Sequence, residues 1–292
     1  FVRHEDRPTF NRMSIRSNAD QAILTANMHP MWFDPASKSA ASPWIGLRSF
    51  EERRPMFRNL AITGQPVIPR EVRMSDGDSL RGWKSHFYGE AQPAFAPIAT
   101  SSIVSTKVDW FLTDGIITAR KVDDENGVNP QSLLRYHRPL LDGESVSYEF
   151  EYKPGETLVH PALGQMAFLI EAGGVQVHWM TSGGFEWTGL PADNKLLEPL
   201  NRRGPRPLPL KEGDWNAVTL AQADGKVTLT LNGEVIYQRV VDFGGNHSFG
   251  FYRDRTQTSA KIRNVVMTGD WPETLPADVL ENPTVTTDLV AR

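Results

Sequence analysis

The sequence predicts an all-β fold of short antiparallel strands, and three observations support that prediction. Val227, Leu229 and Leu231 alternate with threonines, which is the two-residue period of a half-buried strand. Asn232-Gly233 follows at once, and this dipeptide favours the type I′ turn of a β-hairpin. The chain also carries 21 Pro and 23 Gly between its short apolar runs, which is typical of an all-β protein with long loops.

The same alternation predicts further strands along the chain. The clearest is residues 144–153, where apolar side chains fall on one side and serine and glutamate on the other. A strand, an Asp-Gly turn and a second strand are predicted over residues 109–120. Residues 28–35, bounded by prolines, and residues 181–209, which have no periodicity, are predicted as loops. The remaining predicted strands are residues 10–16, 22–27, 44–48, 56–63, 132–136, 165–171, 175–180, 215–220, 226–231, 248–252 and 260–269.

Part of the strand pattern occurs twice, which predicts an internal repeat. Asn11 aligns with Asn216, and Asn59 aligns with Asn264, at one constant offset (216 − 11 = 205; 264 − 59 = 205). Self-similarity at a fixed offset is the signature of a repeated structural unit.

This offset also predicts the domain organisation. A unit of 205 residues leaves the first copy incomplete. We therefore expect residues 1–70 to be the C-terminal half of a β-sandwich repeat, residues 71–280 a complete sandwich and residues 281–292 a tail. On this interpretation, the upstream part of the same polypeptide or another protein chain completes the first unit.

The composition argues against several classes of function. The chain has no Cys, so it has no disulfide, thiolate metal site or cysteine nucleophile. A net charge of −4, without a basic stripe, argues against nucleic acid as a partner. No segment has the roughly 20 consecutive apolar residues of a membrane helix, so no membrane span is expected. The motifs of serine hydrolases, zinc proteases and phosphate-binding loops are also absent from the sequence.

Several strand motifs together resemble a known family. They are L-R-G-W, W-F-L-T-D-G-I-I, V-S-Y-E-F-E-Y, W-N-A-V-T-L, V-T-L-T-L-N-G and I-R-N-V-V-M-T-G. In them the chain resembles concanavalin A-like lectin and glucanase sandwiches, and above all a bacterial domain of unknown function numbered 1583. It is also similar to the related 3-keto-disaccharide hydrolase domain. The resemblance covers most of residues 76–275 and part of 10–70, and it implies a jelly-roll β-sandwich of two antiparallel sheets, often with a concave face that holds sugars. It carries over no catalytic residue.

Four polar residues form the first candidate site. In the strand V-S-Y-E-F-E-Y the apolar side chains form the core face, which leaves Glu149 and Glu151 on the opposite face. The same reasoning places Gln176 and His178 opposite the apolar face of their own strand. If the two strands share a sheet, these side chains line one polar surface suited to acid/base chemistry or to an oxygen-rich metal site. The alternative is an ordinary solvated sheet face.

The long loop at residues 181–209 supplies a second candidate. Trp187 is suited to stacking on a sugar ring, with Glu186 beside it to bond hydroxyl groups. The alternative is that the aromatic residues only pin the loop to the core. His160, in the short loop V-H-P, is expected to be solvated.

Two basic runs supply the third candidate. In Y-R-D-R, Arg253 and Arg255 are suited to clamping an anionic or hydroxyl-rich ligand, with Asp254 as hydrogen-bond acceptor. The alternative is a surface turn held by ion pairs. The same two interpretations apply to L-R-Y-H-R-P, residues 134–139.

These observations predict a glycan-binding or structural β-sandwich module of a larger bacterial protein, extracytoplasmic or on the cell surface, with carbohydrate as its partner. The first alternative is a glycoside hydrolase of the 3-keto-disaccharide hydrolase type. In that case Glu149 or Glu151 is the base, and His178 or Asp254 assists or holds a metal. The second alternative is an architectural subunit of a multi-chain assembly. No cofactor is expected; the alternative is calcium or another divalent metal, because D-D-E-N-G has the composition, though not the spacing, of a calcium loop.

Overall fold

The structure is a computed structural model that describes residues 10–17, 21–34, 59, 61, 63–64, 69–77, 79–88, 110–120, 131–180, 190, 194–241, 247–254 and 258–269. This part of the chain contains strands and no helix, and so no helix able to cross a membrane. The strands, in chain order, are β1 (Met13–Ser17), β2 (Ala22–Ala26), β3 (His29–Asp34), β4 (Glu71–Arg73), β5 (Trp83–Tyr88), β6 (Trp110–Thr113), β7 (Ile116–Ala119), β8 (Gln131–Pro139), β9 (Glu144–Tyr152), β10 (His160–Leu163), β11 (Met166–Glu171), β12 (Gly174–Trp179), β13 (Asp214–Ala223), β14 (Lys226–Leu231), β15 (Glu234–Val240), β16 (Ser248–Arg253) and β17 (Ala260–Gly269).

The chain divides into two compact units, Phe1–Ala41 and Ser42–Arg292, and the predicted boundary at residue 70 stays a prediction. The first unit contains one antiparallel sheet in the order β1-β2-β3. The prediction of a loop over residues 28–35 is wrong, because the strand β3 occupies most of that range. Pro30 is tolerated there since it pairs with Thr25 where the register of β2 and β3 shifts, and such an irregularity accepts a residue without an N–H.

The turns that follow β2 and β14 are built with the same hydrogen bonds. Asn27 and Asn232 both have a φ of 49°, and the Oδ1 of each accepts a backbone N–H across the hairpin at 2.9 Å. The Nδ2 of Asn27 donates to Asn11 at 2.8 Å, and the Nδ2 of Asn232 donates to Asn216 at 2.9 Å. The two turns are 205 residues apart (232 − 27 = 205), which is the spacing that the predicted repeat requires. The repeat itself stays a prediction.

The described residues of the second unit form two antiparallel sheets. The six-stranded sheet has the order β12-β11-β10-β16-β8-β5. The eight-stranded sheet has the order β15-β14-β13-β9-β17-β7-β6, with β4 also paired to β17. The prediction of an all-β sandwich is confirmed by this arrangement. The predicted strands at residues 44–48 and most of 56–63 lie outside the described residues.

Aromatic side chains fill the space between these two sheets. Tyr148 and Phe150 of β9 face Phe249 and Phe251 of β16, and all four are 2% exposed or less. Tyr148 meets Phe251 edge to face, with ring centroids 4.9 Å apart and planes at 81°. Large aromatic rings bury much apolar area, and this geometry adds a favourable ring–ring term. The core face of β9 is therefore the one that its alternation predicts.

The face of the six-stranded sheet that points away from the core, its outer face, is not simply solvated. It carries a second apolar cluster of buried residues: Leu133, Ala162, Ala167, Leu169, Met180 and Tyr252. Satellite clusters of this kind usually lie beneath long connecting segments. The prediction that this face is polar therefore fails for its centre.

Residues 194–203, the edge segment, join the edges of the two sheets. Leu196 and Val177 of β12 exchange backbone hydrogen bonds of 2.8 and 2.9 Å. Gln238 of β15 donates its backbone N–H to the carbonyl of Asn201 at 2.8 Å. The edge segment therefore satisfies backbone groups that edge strands otherwise leave unpaired.

Candidate functional site

The structure separates the four residues of the first candidate site. Glu149 and Glu151 lie on β9, which belongs to the eight-stranded sheet. Gln176 and His178 lie on β12, which belongs to the six-stranded sheet. The predicted shared polar surface is therefore wrong. Alternation fixes which face of a strand is buried, but it does not fix the sheet to which the strand belongs.

Glu149 is held by an ion pair on the outer face of the eight-stranded sheet. Its Oε2 accepts a hydrogen bond from Arg263 Nε at 2.5 Å and a weaker one from Asn264 Nδ2 at 3.3 Å. The Arg263 guanidinium also lies over the Trp215 ring, 4.1 Å from its centroid. Both the carboxylate and the aromatic ring already have a partner within the fold.

Glu151 is also paired with cations. Lys261 Nζ lies 2.9 Å from its Oε2, and Lys153 Nζ lies 3.6 Å from its Oε1. Burial alone would raise the pKa of Glu151, but the hydrogen bond to Lys261 and the charge of Lys153 outweigh it and lower the pKa. Glu151 is therefore a poor general base.

His178 is fully buried on the outer face of the six-stranded sheet, against the edge segment. Its Nδ1 donates a hydrogen bond to the carbonyl of Asn194, and its ring stacks on Tyr252 with centroids 5.2 Å apart. A carbonyl only accepts, so Nδ1 carries the hydrogen. The Asn194 side chain bonds both backbone groups of Trp179 at 2.9 Å, which fixes the edge segment beside β12.

His160 lies on the same outer face and is also buried, so the prediction that it is solvated is wrong. Its Nδ1 accepts the backbone N–H of Ile170 at 3.0 Å. Burial lowers the pKa of His160 from 6.5 to about 4; the charge of Asp254 opposes this shift, while Lys195 and His178 add to it. At neutral pH the ring is therefore uncharged and carries its hydrogen on Nε2.

Lys195 and Asp254 form the accessible part of this group. Lys195 Nζ lies 2.7 Å from Asp254 Oδ2, and the two side chains are 31% and 22% exposed. Together with His160, His178 and Asn194 they form the histidine cluster. It combines a partly exposed ion pair with buried groups that have fixed hydrogen-bonding roles.

Arg253 does not take part in this cluster. It is 1% exposed, and its guanidinium donates to the backbone carbonyls of Arg120, at 2.8 Å, and Thr258. Its guanidinium carbon also lies 5.9 Å from the centroid of the Trp110 ring in the opposite sheet. The predicted role of Arg253 as a ligand clamp is therefore wrong, because Arg253 fastens backbone inside the fold.

The other predicted site residues are either peripheral or not described. Gln176 is partly exposed and donates to Glu171 Oε2 at 3.3 Å. Glu186, Trp187 and Arg255 lie outside the described residues. Among the residues that are described, no group of three or more His, Asp or Glu is placed to hold a metal ion.

Sequence reasoning missed His160, Asn194 and Lys195 as members of one cluster. Asn194 and Lys195 lie within the stretch without periodicity, and they reach the cluster only because Leu196 pairs with β12. The one available signal was Ala162, an apolar residue two positions after His160, which indicates a strand rather than a solvated loop.

Comparison with solved structures found several to which this chain is similar at low sequence identity. A proposed glycosyl hydrolase from Parabacteroides distasonis is 13% identical, with 70% of this chain and 99% of that chain covered and a TM-score of 0.41. The carbohydrate binding module CBM66 from Bacillus subtilis is 11% identical, with 64% of this chain and 96% of that chain covered and a TM-score of 0.37. No curated protein matches the sequence.

Two family models match the sequence, and both describe domains without a known function. Residues 14–110 match a protein of unknown function, DUF1581. Residues 125–274 match a domain of unknown function, DUF1583_N, and this match confirms the resemblance seen in the strand motifs. It includes β8 to β17 and every member of the histidine cluster. This chain belongs to the DUF1583_N family.

Proposed function

We propose that this chain is a carbohydrate-binding β-sandwich module whose ligand contacts the histidine cluster. The observation that carries the proposal is the partly exposed Lys195–Asp254 ion pair, held beside two buried histidines on the outer face of the six-stranded sheet. Burying a polar group without a hydrogen bond raises the free energy of the fold, and apolar side chains would cover this face without that requirement. A ligand that reaches the partly exposed ion pair gives this polar arrangement a role.

The chemistry of the cluster suits a ligand rich in hydroxyl groups. A lysine ammonium offers three N–H donors and a carboxylate only accepts, whereas each sugar hydroxyl does both. A hydroxyl group can therefore bond Lys195 and Asp254 at once. At 31% and 22% exposure, both side chains are within reach of a ligand in solution.

A carbohydrate ligand favours an exported or cell-surface setting for the protein that carries this module. Polymeric glycans lie mainly outside the cytoplasm, so a module that binds them acts where they are. Fractionation of the native bacterium with an antibody against residues 131–241 tests this point, and a purely cytoplasmic signal would contradict it.

A glycoside hydrolase of the 3-keto-disaccharide type is the second candidate function. It is favoured by the orientation of His178, whose Nδ1–H is fixed on the carbonyl of Asn194. Anchoring one ring nitrogen on an acceptor is how a general base is held in a set tautomer. His178 would then be the base, with Asp254 nearby, because Glu149 and Glu151 lie on the other sheet.

A binding and hydrolysis screen tests both candidates on the full chain. We expect a glycan array to return a ligand, and titration calorimetry with Asp254→Asn to show binding at least tenfold weaker, about 1.4 kcal/mol. Glu149→Gln is the matched control, a carboxylate lost from the opposite sheet, and it should leave affinity unchanged.

The outcomes separate the candidate functions. Turnover of a 3-keto-glycoside that is lost in His178→Ala, with a folded protein by circular dichroism, would favour the hydrolase. Absence of glycan binding by the folded chain would contradict the binding proposal. It would also be contradicted if Glu149→Gln weakened glycan binding and Asp254→Asn did not. The architectural alternative would then be the better account.

A further inference from the structure

Two cations face each other on the outer face of the six-stranded sheet, far from the histidine cluster. Lys84 of β5 and Arg135 of β8 are directly opposed in the strand register. Their neighbours Trp83 and Tyr136 pack in the core between the sheets, so Lys84 and Arg135 point the other way. Like charges directly opposite each other on one face destabilise a strand pair.

No acidic side chain among the described residues pairs with either cation. Within the described part of the chain neither Lys84 nor Arg135 forms an ion pair, whereas Arg138, three residues later, is held by Glu144 through two hydrogen bonds. Arg135 donates one bond, from Nη2 to the carbonyl of Gly164 at 2.8 Å. Its Nε is buried and has no acceptor among the described residues. The fold therefore satisfies this guanidinium only in part.

The cation pair lies on the same face as the histidine cluster. A row of residues that lie directly opposite one another in neighbouring strands crosses the sheet. It starts at Arg135 and continues through Gly250, Ala162, Ala167 and His178. That row crosses four strand intervals, and strands lie about 4.8 Å apart, so its ends are separated by about 19 Å. An extended oligosaccharide is long enough to reach both ends, whereas a single sugar is not.

We infer that Lys84 and Arg135 form a subsite for the acidic group of the glycan, so that the ligand is an acidic oligosaccharide carrying carboxylate or sulfate groups. This inference rests on the proposed carbohydrate-binding function. A guanidinium matches the two oxygens of a carboxylate or sulfate in its own plane, and the exposed Lys84 adds a second positive charge. The bound anion would offset the repulsion between the two cations.

The test compares acidic and neutral glycans on the full chain. We expect a uronic-acid polymer or a sulfated polymer to bind at least tenfold more tightly than a neutral polymer of similar length. Lys84→Gln and Arg135→Gln should each lose most of that preference, and added NaCl should weaken binding of the acidic polymer. The uronic-acid and sulfated arms identify which acidic group is preferred.

Matched variants keep the comparison interpretable. Lys261→Gln removes a strand lysine from the other sheet and should leave the preference intact. Arg135→Lys retains the charge but not the planar fork, and it covers the case in which Arg135→Gln fails to fold, as judged by thermal melting. Equal binding of acidic and neutral polymers, or unchanged binding by folded Lys84→Gln, would overturn the inference while leaving the proposed function in place.

A titration with inorganic sulfate separates failure of this inference from failure of the proposed function. Sulfate should shift the backbone amide signals of β5 and β8 in the wild type and not in Lys84→Gln. This result without binding of any glycan would support the anion subsite and contradict the carbohydrate proposal. No shift, together with no preference for acidic polymers, would overturn the inference.

Discussion

The outer faces of the two sheets carry similar kinds of residue but use them differently. On the eight-stranded sheet, Glu149 is paired with Arg263, and Glu151 with Lys261. On the six-stranded sheet, two histidines are buried and Lys195 and Asp254 remain partly exposed. Lys84 faces Arg135 there, and neither forms an ion pair within the part of the chain that the structure describes. On the first face each of these carboxylates has a cation as its partner, whereas on the second face Lys84 and Arg135 have no carboxylate partner among the described residues.

This difference shows why strand alternation alone is a poor guide to function. Both faces look equally polar when side chains are only sorted by direction. A charged group that is already paired within the fold gains little from binding a ligand. An unpaired or buried polar group is not explained by the stability of the fold alone. The predictions below test this distinction, beginning with the largest expected effect.

Acid should destabilise the fold through the buried His160. The unfolded chain takes up a proton at this residue below pH 6.5, but the folded chain does so only near pH 4. The unfolded state therefore binds more protons in that window, and stability present above pH 6.5 is lost as the pH falls. Lowering the pH from 7 to 4 should reduce the free energy of unfolding by about 3 kcal/mol through this group, measured by urea unfolding at several pH values.

The His160→Gln variant isolates that effect from the titration of carboxylates. The difference in unfolding free energy between wild type and variant should shrink between pH 7 and pH 4, because only the wild type carries this histidine. A difference that is independent of pH would show that the folded protein binds the proton as readily as the unfolded chain.

Removing the Asn194 side chain should have the next largest effect. Asn194→Ala leaves both the N–H and the carbonyl of Trp179 without their partners, and buried groups left in this way cost about 2 kcal/mol. Urea unfolding measures the loss. The matched change on the other sheet is Thr268→Ala, which removes one bond, to Ser145, and should cost about 0.5 kcal/mol. Equal losses of unfolding free energy in Asn194→Ala and Thr268→Ala would contradict the difference that we draw between the outer faces of the two sheets.

Much of the fold follows from the sequence, whereas the candidate site follows from it only in part. The alternation in β9 and the turn at Asn232 depend on neighbouring residues, so the local pattern is enough to predict them. Which sheet receives β12 depends on the chain crossing between layers after β9, and no local pattern encodes that crossing. Lys195 joins His178 through a backbone pairing that lies within a stretch without periodicity.

Arg263→Ala should cost about 1 kcal/mol of stability and should not change glycan affinity. The ion pair with Glu149 contributes little because the two side chains are 39% and 32% exposed. Most of the loss should come from the contact between the guanidinium and the Trp215 ring. Thermal melting and titration calorimetry measure the two quantities. A tenfold loss of glycan affinity would indicate that the ligand binds the eight-stranded sheet, which would contradict the proposed site on the six-stranded sheet.

Glu151→Gln should have the smallest effect, below about 0.5 kcal/mol, because the side chain of its partner Lys261 is 44% exposed. The pKa of Glu151 is lowered in the folded state, so the small stabilisation exists above the pKa of the unfolded chain and disappears as the pH falls through the folded value. Unfolding of wild type and variant should therefore converge in acid. Divergence in acid would reverse the assigned direction of the pKa shift.

Amide shift mapping by nuclear magnetic resonance tests the central claim most directly. The full chain is titrated with the acidic oligosaccharide that the array selects, and each backbone amide signal is followed. The account predicts shifts at Lys195, Asp254 and Arg135, with the signals of Glu149 and Glu151 unmoved. Shifts concentrated at Glu149 and Glu151 would contradict it.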